Sequence, residues 1–194
     1  MRITGGELAS RSLRVPKRDV RPTTDRVREA LFSMLAHRDA LAGARVLDAF
    51  AGSGALGIEA LSRGALHATF VEHSRDAART LAANLAALGV EARSRLVVSD
   101  AAAALASFAR AGERFDLCFV DPPYATNLAA ETLTRLAGSG LLSERALVVA
   151  ETDRRHAPGP LEGFALALER RYGDTLISFY TLTNPTIPPG VLPA

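Results

Sequence analysis

The sequence predicts an α/β fold in which helices cover both faces of a mostly parallel, seven-stranded sheet that ends in an antiparallel hairpin. Apolar segments of strand length and helix length alternate along the chain with short connections, which is the pattern of strand–helix–strand units. Segments such as 46–50 and 117–120 are almost continuously apolar, as strands buried on both faces are. With 194 residues, 48% of them hydrophobic, the chain suits one domain with a full core.

The predicted elements follow in chain order. A short strand over 11–16 forms a small N-terminal β extension, and a helix is predicted over 21–39 because apolar residues recur there at helical spacing. Ser74 and Gly89 are residue types that begin and end a helix. The other strands are predicted at 44–50, 67–72, 95–100, 115–121, 146–151 and in a hairpin over 164–183, and the other helices at 58–64, 74–89, 101–112 and 128–140.

Several classes of protein are excluded by composition. The single cysteine, Cys118, rules out a disulfide framework, and the four histidines lack the spacing of metal ligands, so we expect no metal. No apolar run is long enough to span a bilayer, and the N-terminus lacks the apolar core of a signal peptide. We therefore expect a cytoplasmic protein.

The basic residues are concentrated at the N-terminus. Residues 1–28 carry eight Arg or Lys side chains and three acids, a net charge of +5, whereas the rest of the chain carries −3. We divide the chain into a basic arm (1–22), an α/β domain (23–183) and a proline-rich tail (184–194). A basic arm on a slightly acidic domain suggests a polyanionic partner, although the same charges could simply solvate an exposed terminus.

Five predicted strands end on an acidic residue. Because the carboxyl ends of parallel strands meet at one edge of the sheet, where ligands bind in such folds, these acids should lie together. One or two of them could cap the following helix, but capping does not account for all five. The five acids are Asp48, Glu72, Asp100, Asp121 and Glu151.

A glycine loop follows the first of these strands. Gly52, Gly54 and Gly57 form the G-x-G-x-x-G pattern, which lets a ligand approach the backbone closely, and Glu72 could bind the hydroxyls of a ribose. The pattern fits a dinucleotide or S-adenosylmethionine. Asp48 favours the second, because a carboxylate suits an ammonium and a sulfonium better than a pyrophosphate. Asp100 could then accept a hydrogen bond from the adenine amino group.

The stretch Asp121-Pro122-Pro123-Tyr124 suggests how an amine could be presented. Two prolines in succession make a stiff segment with few N–H donors. The Asp121 carboxylate and the Pro122 carbonyl could accept both hydrogens of an amino group, and Tyr124 offers a face for stacking a flipped base. Read alone, Asp-Pro-Pro could equally be an ordinary turn.

Two segments carry a resemblance to a known family. "LDAFAGSGALGIEALSRGA" (47–65), with Glu72 and "DPPY" (121–124), resembles the class I S-adenosylmethionine-dependent methyltransferases, which have a Rossmann-like fold. Within that class it is similar to the enzymes that methylate an amino group with an Asp-Pro-Pro-Tyr loop. "RPTTDRVREALF" (21–32) extends the resemblance over 5–180 to the RsmD-type enzymes. That resemblance implies methylation of N2 of a guanine in 16S ribosomal RNA, at position 966, within an assembled 30S subunit or late precursor, by a monomer.

The pattern and the resemblance together define three sets of predicted site residues. The catalytic set is the Asp-Pro-Pro-Tyr stretch at 121–124. The predicted cofactor-binding residues are Asp48, Ala49, Gly52, Ser53, Gly54, Glu72, His73, Asp100 and Ala101. The predicted RNA-binding residues are Arg11, Arg21, Thr23, Thr24, Arg26 and Arg28, with the expectation that one of the last two instead forms an internal salt bridge.

Two alternatives remain open at this point. The first is an amino methyltransferase for another target, such as N6 of adenine in DNA or RNA, because the Asp-Pro-Pro-Tyr stretch can present any planar amine. The absence of a separate target-recognition domain in so short a chain speaks against DNA. The second is a nucleotide-dependent oxidoreductase, against which Asp48 and the Asp-Pro-Pro-Tyr stretch both argue.

Overall fold

One sheet of seven strands runs through the part of the chain that the computed structural model describes, residues 1–15, 25–123 and 127–183. Its strand order is β3-β2-β1-β4-β5-β7-β6. The strands are β1 Arg45–Asp48, β2 His67–Glu72, β3 Ser94–Val98, β4 Phe115–Val120, β5 Leu142–Asp153, β6 Phe164–Tyr172 and β7 Thr175–Leu182. The helices are α1 Asp25–Ala36, α2 Ala55–Ser62, α3 Arg75–Leu88, α4 Ala101–Arg110 and α5 Leu128–Gly138.

The first five strands are parallel and the last two form the antiparallel hairpin, so the predicted fold class is confirmed. Successive side chains of a strand point to opposite faces. Leu117 and Phe119 of β4 accordingly join the core under α1, α2 and α3, whereas Cys118 and Val120 join the core under α4 and α5. This burial on both faces explains why the strands are apolar at almost every position.

The helix ends that the sequence predicts are present where a cap residue marks them. The Ser74 side chain accepts a hydrogen bond from the Ala77 amide at the start of α3, and Gly89 ends that helix in the left-handed conformation. Asp100 caps α4 by accepting a bond from the Ala103 amide. None of the helices in the described ranges is long and apolar enough to cross a membrane.

The N-terminal segment, residues 1–15, belongs to the folded domain. Ile3, Leu8 and Leu13 are buried in the same core as the sheet, so residues 1–15 pack on the α/β domain, and the predicted boundary at residue 22 lies outside the described residues. At Gly6 (φ +79°) any Cβ would lie 1.8 Å from the Ser62 carbonyl oxygen, so only glycine allows this approach to the end of α2. The predicted strand at 11–16 is reduced to a single bridge between 2 and 12.

A buried acid, Glu59 of α2, fastens this segment to two helices. Its carboxylate accepts bonds from the Thr4 amide (2.8 Å) and hydroxyl (2.6 Å) and from Arg63 Nε (2.9 Å). Arg28 Nε of α1 lies 3.5 Å from the same carboxylate. Charged groups as buried as these are tolerated only when they are paired in this way.

Two further sequence predictions differ from the structure at element boundaries, and a third cannot be compared with it. Helix α2 begins at Ala55, inside the predicted glycine loop, because Gly54 already acts as its N-cap. Strand β5 runs from Leu142 to Asp153, beyond the predicted 146–151, because β7 pairs with its far end. The proline-rich tail, 184–194, lies outside the described residues.

We predict that Gly57→Ala destabilises the domain. A Cβ at Gly57 would lie 2.2 Å from the Phe70 ring of β2, so α2 would have to move away from the sheet. Overpacking of this kind costs about 1–3 kcal/mol in the free energy of unfolding, measurable by urea denaturation. Gly138→Ala at the end of α5 is the control, because a Cβ there meets nothing within 4 Å, and it should be neutral or slightly stabilising. Equal stabilities for the two variants would contradict the close packing at Gly57.

Candidate active site

The acidic strand ends meet at one edge of the sheet and on one face of it. Asp48 is level with Phe70 and Phe119, which point into the core under α1, α2 and α3. Glu72 and Asp121 each lie two residues beyond that level, so strand alternation directs them to the same face, about 7 Å further out. Glu151 of β5 is in the equivalent position on the next strand. The predicted gathering of carboxylates at this edge is therefore present.

The glycine loop lies between β1 and α2 and is held by Glu72. The two carboxylate oxygens of Glu72 accept bonds from the amides of Gly52 (2.8 Å) and Ser74 (2.6 Å). Gly52 has a φ of +53°, and a Cβ there would meet nothing within 4 Å. Gly54 (φ +84°) instead packs against Leu81, where a Cβ would lie 2.3 Å from that side chain. Gly52 is thus the glycine at which the loop backbone is open to a ligand.

Asp48 is buried beneath this loop. One carboxylate oxygen accepts a bond from the Gly57 amide (3.1 Å), and the other has no hydrogen-bond partner among the described residues. Burial raises the pKa of Asp48 to about 7, the backbone amides at Gly57 and Phe50 oppose that shift, and the negative charge of Glu72 adds to it. A buried carboxylate oxygen without a donor is a site at which a cationic or N–H-bearing ligand would be stabilised.

Asp121 follows β4 directly and is half-buried beside the other acids. Burial raises its pKa well above the usual range of an aspartate, and repulsion from Glu151 and from Asp48 raises it further. Pro122 is buried and Pro123 is exposed, so the chain leaves the sheet edge within two residues of Asp121. Tyr124, the last predicted catalytic residue, lies outside the described residues.

Of the remaining predicted cofactor residues, His73, Asp100 and Ala101 follow β2 and β3, and Ala49 follows β1. His73 is exposed, and its Nδ1 lies 3.2 Å from Glu72. Asp100 uses one carboxylate oxygen to cap α4, whose first residue is Ala101. The Ala49 amide donates to the Phe119 carbonyl within the sheet, so this backbone N–H is already occupied.

The arrangement as a whole suits a ligand that has hydroxyl groups and positive charge. The open backbone at Gly52, the two-oxygen acceptor Glu72 and the unsatisfied oxygen of Asp48 lie around one loop. Four carboxylates on one face repel one another, and a cation placed among them would relieve that repulsion. The residues present therefore fit S-adenosylmethionine, which carries an ammonium, a sulfonium and a ribose, better than they fit a pyrophosphate.

The predicted RNA-binding residues fall into three groups. The structure corrects the prediction that Arg28 contacts RNA. Arg28 is completely buried, donates to the Arg2 carbonyl and to Asp25 (3.0 Å), and faces Glu59. It therefore cannot contact RNA. Arg26 is exposed at the start of α1. Arg11 is exposed, although its guanidinium donates to the Ala87 carbonyl. The other three, Arg21, Thr23 and Thr24, lie outside the described residues.

The sheet order, the glycine loop and the strand-end acids together define a protein with the Rossmann-like fold of the class I methyltransferases. The family described as Conserved hypothetical protein 95 matches residues 1–181. The chain therefore belongs to this family, the RsmD-type proteins, as the sequence motifs predicted.

Several relatives support this assignment. Ribosomal RNA small subunit methyltransferase D of Escherichia coli strain K12 is 44% identical over 154 residues, 79% of this chain and 75% of that protein. The protein of the same name from Haemophilus influenzae is 34% identical over 95% of this chain and 94% of its own length. A hypothetical protein from Thermus thermophilus superposes with a TM-score of 0.82 at 35% identity, covering 94% of this chain and 99% of that one.

Two residues at this site were not assigned by sequence reasoning. Glu151 was recognised as a strand-end acid but received no role, although it is buried beside Asp121 and raises that residue's pKa. Asn84 was not noticed, although an amide on the apolar face of α3, flanked by Ala83 and Leu85, is an unusual residue in a helix that packs on a core.

We predict that Asp48→Asn flattens the dependence of stability on pH. The pKa of Asp48 is raised in the folded chain, so unfolding releases its proton between about pH 4 and pH 7, and the stability of the folded state falls as the pH rises through that window. The loss in the wild type is at most about 4 kcal/mol, from three pKa units at 1.36 kcal/mol each. Asparagine has no proton to lose, while its oxygen can still accept from Gly57.

Urea denaturation at pH 5, 6, 7 and 8 measures this effect. Asp76→Asn is the control, because Asp76 is an exposed residue of α3 paired with Arg79. If Asp48→Asn and the wild type lose stability in parallel over this range, Asp48 is ionised in the folded chain and its position beneath the loop has been misjudged.

Proposed function

We propose that this protein methylates the exocyclic N2 amino group of a guanine in small-subunit ribosomal RNA, with S-adenosylmethionine as the methyl donor. The observation that carries the proposal is the position of Asp121-Pro122-Pro123 at the carboxyl end of β4, directly beside the β1 strand and the glycine loop that follows it. An amine-presenting segment and a candidate adenosine site are thereby neighbours at one edge. Family membership and the names of the curated relatives support the coarser part, methylation of ribosomal RNA.

The glycine loop and the acids would hold the cofactor. Glu72 would accept bonds from the ribose hydroxyls with the lone pairs that Gly52 and Ser74 leave free, and Asp48 would face the positively charged end. Asp100 has one carboxylate oxygen beyond its capping bond for the adenine amino group. The cofactor supplies an electrophilic methyl group on a sulfonium, so the protein itself needs no covalent chemistry.

Asp121 would orient the amine. The lone pair of a guanine 2-amino group is delocalised into the ring, so it attacks only when it is held in line with the methyl group. Acceptors at Asp121 and at the Pro122 carbonyl would bind the two N–H groups and fix that pose. The stacking face would come from Tyr124.

The protonation state of Asp121 would be linked to occupancy of the site. Its raised pKa comes from burial and from the negative charges of Glu151 and Asp48. A positive charge bound near Asp48 would lower the pKa of Asp121 toward its usual range. Asp121 would then be ionised when both substrates are present, ready to accept the amine hydrogen bonds and the proton that the product nitrogen releases.

The N-terminal segment would bind the RNA backbone. Arg2, Arg14 and Arg26 are exposed and make no ion pair with the described residues, so their charges are available to phosphates. Residues 1–15 are docked on the domain, which would present these side chains from a fixed surface. We further propose that a monomer acts on an assembled small subunit or late precursor.

The direct test is to supply labelled S-adenosylmethionine with small subunits that lack the modification, with naked 16S ribosomal RNA and with DNA. We expect labelled N2-methylguanosine from the subunits after digestion and mass spectrometry. N6-methyladenosine as the product, from any of these substrates, would instead establish the alternative target. No label in any substrate would overturn the assignment.

We predict that Glu72→Gln and Asp121→Ala separate binding from turnover. Glu72→Gln keeps an oxygen for one of the two amides, sets its NH2 group against the other and loses the charge, and it should weaken S-adenosylhomocysteine binding by about 1–3 kcal/mol. Asp121→Ala should bind the same ligand nearly normally, because the proposed role of Asp121 is to orient the amine and not the cofactor, and should lose nearly all turnover. Calorimetry and single-turnover methylation measure the two effects. Parallel losses of affinity in both variants would place Asp121 in the cofactor site.

We predict that the exposed N-terminal arginines set the salt dependence of RNA binding. Neutralising Arg2, Arg14 and Arg26 to glutamine should lower the slope of log K against log salt by about 2 in total, from somewhat under one unit per phosphate contact. The control variant carries Arg110→Gln and Arg145→Gln, which are exposed at the end of α4 and in β5. Binding to small subunits at several salt concentrations measures both. Equal slopes in the wild type and the triple variant would show that this surface does not bind RNA.

A further inference from the structure

Asn84 joins two separate parts of the chain through one buried amide. Its Oδ1 accepts a bond from the Arg14 amide (2.9 Å), and its Nδ2 donates to the Arg14 carbonyl (2.9 Å) and to the Ser53 carbonyl (2.9 Å). The residue is 2% exposed, and its bond to the Ser53 carbonyl is buried, whereas the two bonds to Arg14 are partly buried. Both hydrogens of the amide are used, and each is used on a different segment.

This amide is more than a packing residue. The face of α3 on which it lies otherwise buries leucines, Leu81, Leu85 and Leu88, and an uncompensated amide among them would be costly. Asparagine is also a weaker helix former than the alanines around it. A leucine at this position would stabilise the helix and the core more than asparagine does. Only the asparagine can form hydrogen bonds with the two carbonyls and the amide.

One end of the connection lies in the glycine loop. Ser53 is flanked by Gly52, whose amide is held by Glu72, and by Gly54, which caps α2. The bond to the Ser53 carbonyl is therefore a second attachment of the loop, next to the one that Glu72 makes at Gly52. The orientation of the loop backbone depends on these two attachments and on the turn between them.

The other end of the connection lies in the N-terminal segment. Asn84 binds Arg14 as a neighbouring strand would, through both its amide and its carbonyl. One turn further along α3, the Ala87 carbonyl accepts a bond from Arg11. Helix α3 thus carries the backbone of Arg14 and the side chain of Arg11, two of the exposed arginines in this segment.

We propose that Asn84 is a positioning residue that couples RNA binding at the N-terminal segment to cofactor binding at the glycine loop. This inference rests on the proposed function and adds to it a route between the two ligands. RNA phosphates that bind Arg11 and Arg14 restrict the backbone at Arg14. Because one rigid amide binds both Arg14 and Ser53, that restriction also limits the loop, which then loses less freedom when the cofactor binds. The effect is reciprocal, as any coupling between two binding equilibria must be.

Asn84→Asp and Asn84→Leu test the proposal. Aspartate has the same shape and can still accept from the Arg14 amide, but it sets an oxygen against the carbonyls of Arg14 and Ser53. Leucine removes all three bonds while keeping the volume. Leu88→Ala is the control, because it weakens the packing of the same helix without removing any of the three hydrogen bonds of Asn84.

The measurement is the affinity for S-adenosylhomocysteine, by calorimetry, with and without saturating small subunits. For the wild type and for Leu88→Ala we expect the subunit to raise the affinity at least about fivefold. For both Asn84 variants we expect the same affinity for S-adenosylhomocysteine with and without the subunits. Hydrogen exchange of the peptide that contains residues 51–56 provides a second measure: RNA should slow it in the wild type and leave it unchanged in the Asn84 variants.

Three outcomes would overturn the proposal. The first is a wild type whose affinity for S-adenosylhomocysteine is the same with and without small subunits. The second is an Asn84 variant in which the subunits raise that affinity as much as they do in the wild type. The third is loss of this increase in Leu88→Ala as well, which would show that general weakening of α3 accounts for the effect. A wild type that binds neither S-adenosylhomocysteine nor small subunits would overturn the proposed function along with it.

Discussion

The parallel pairing of β1 with β4 is the constraint on which the candidate site depends. These strands are separated in the sequence by two strands and the helices between them, yet they lie side by side at the point where the order of the sheet reverses. Ligands bind in sheets of this kind where neighbouring connections diverge at such a reversal. Without this pairing, the glycine loop after β1 and the Asp-Pro-Pro segment after β4 would have no common space.

The same pairing creates an electrostatic problem that the rest of the site answers. Asp48, Asp121 and Glu151 come from three adjacent strands and point to one face, so burial and mutual repulsion disfavour the ionised forms of the two aspartates. Backbone amides offset part of this cost at Asp48, and others bind Glu72. The repulsion that these amides do not offset favours a positively charged ligand. The methyl donor S-adenosylmethionine carries positive charge, whereas a nucleotide phosphate is negative. The acids therefore act as a set, and their effect is larger than that of any single member.

Local patterns in the sequence predicted most of the fold, and pairing at long range accounts for what they missed. Strand β2 and the caps Ser74 and Gly89 were predicted where they lie, because apolar periodicity and capping are properties of neighbouring residues. The sequence predicted that one of Arg26 and Arg28 forms an internal salt bridge but could not identify which, because Glu59, the buried partner of Arg28, lies 31 positions away. Asn84 shows the same limit, since its role appears only when Arg14 and Ser53 are brought to it. The position of the acids at the edge of the sheet could be predicted from the sequence. The effect of each acid on the pKa of its neighbours could not, because it depends on how deeply they are buried.

The docking of the N-terminal segment has a consequence for how the chain folds. Thr4 meets Glu59 across 55 positions, Arg14 meets Asn84 across 70, and Arg11 meets Ala87 across 76. Contacts of such long range form slowly, because the entropy of closing a large loop is lost before the contact compensates it. Ile3, Leu8 and Leu13 are translated before α3, yet their place in the core is complete only after α3 has been made. Their apolar side chains therefore stay unburied while the elements that cover them are being translated.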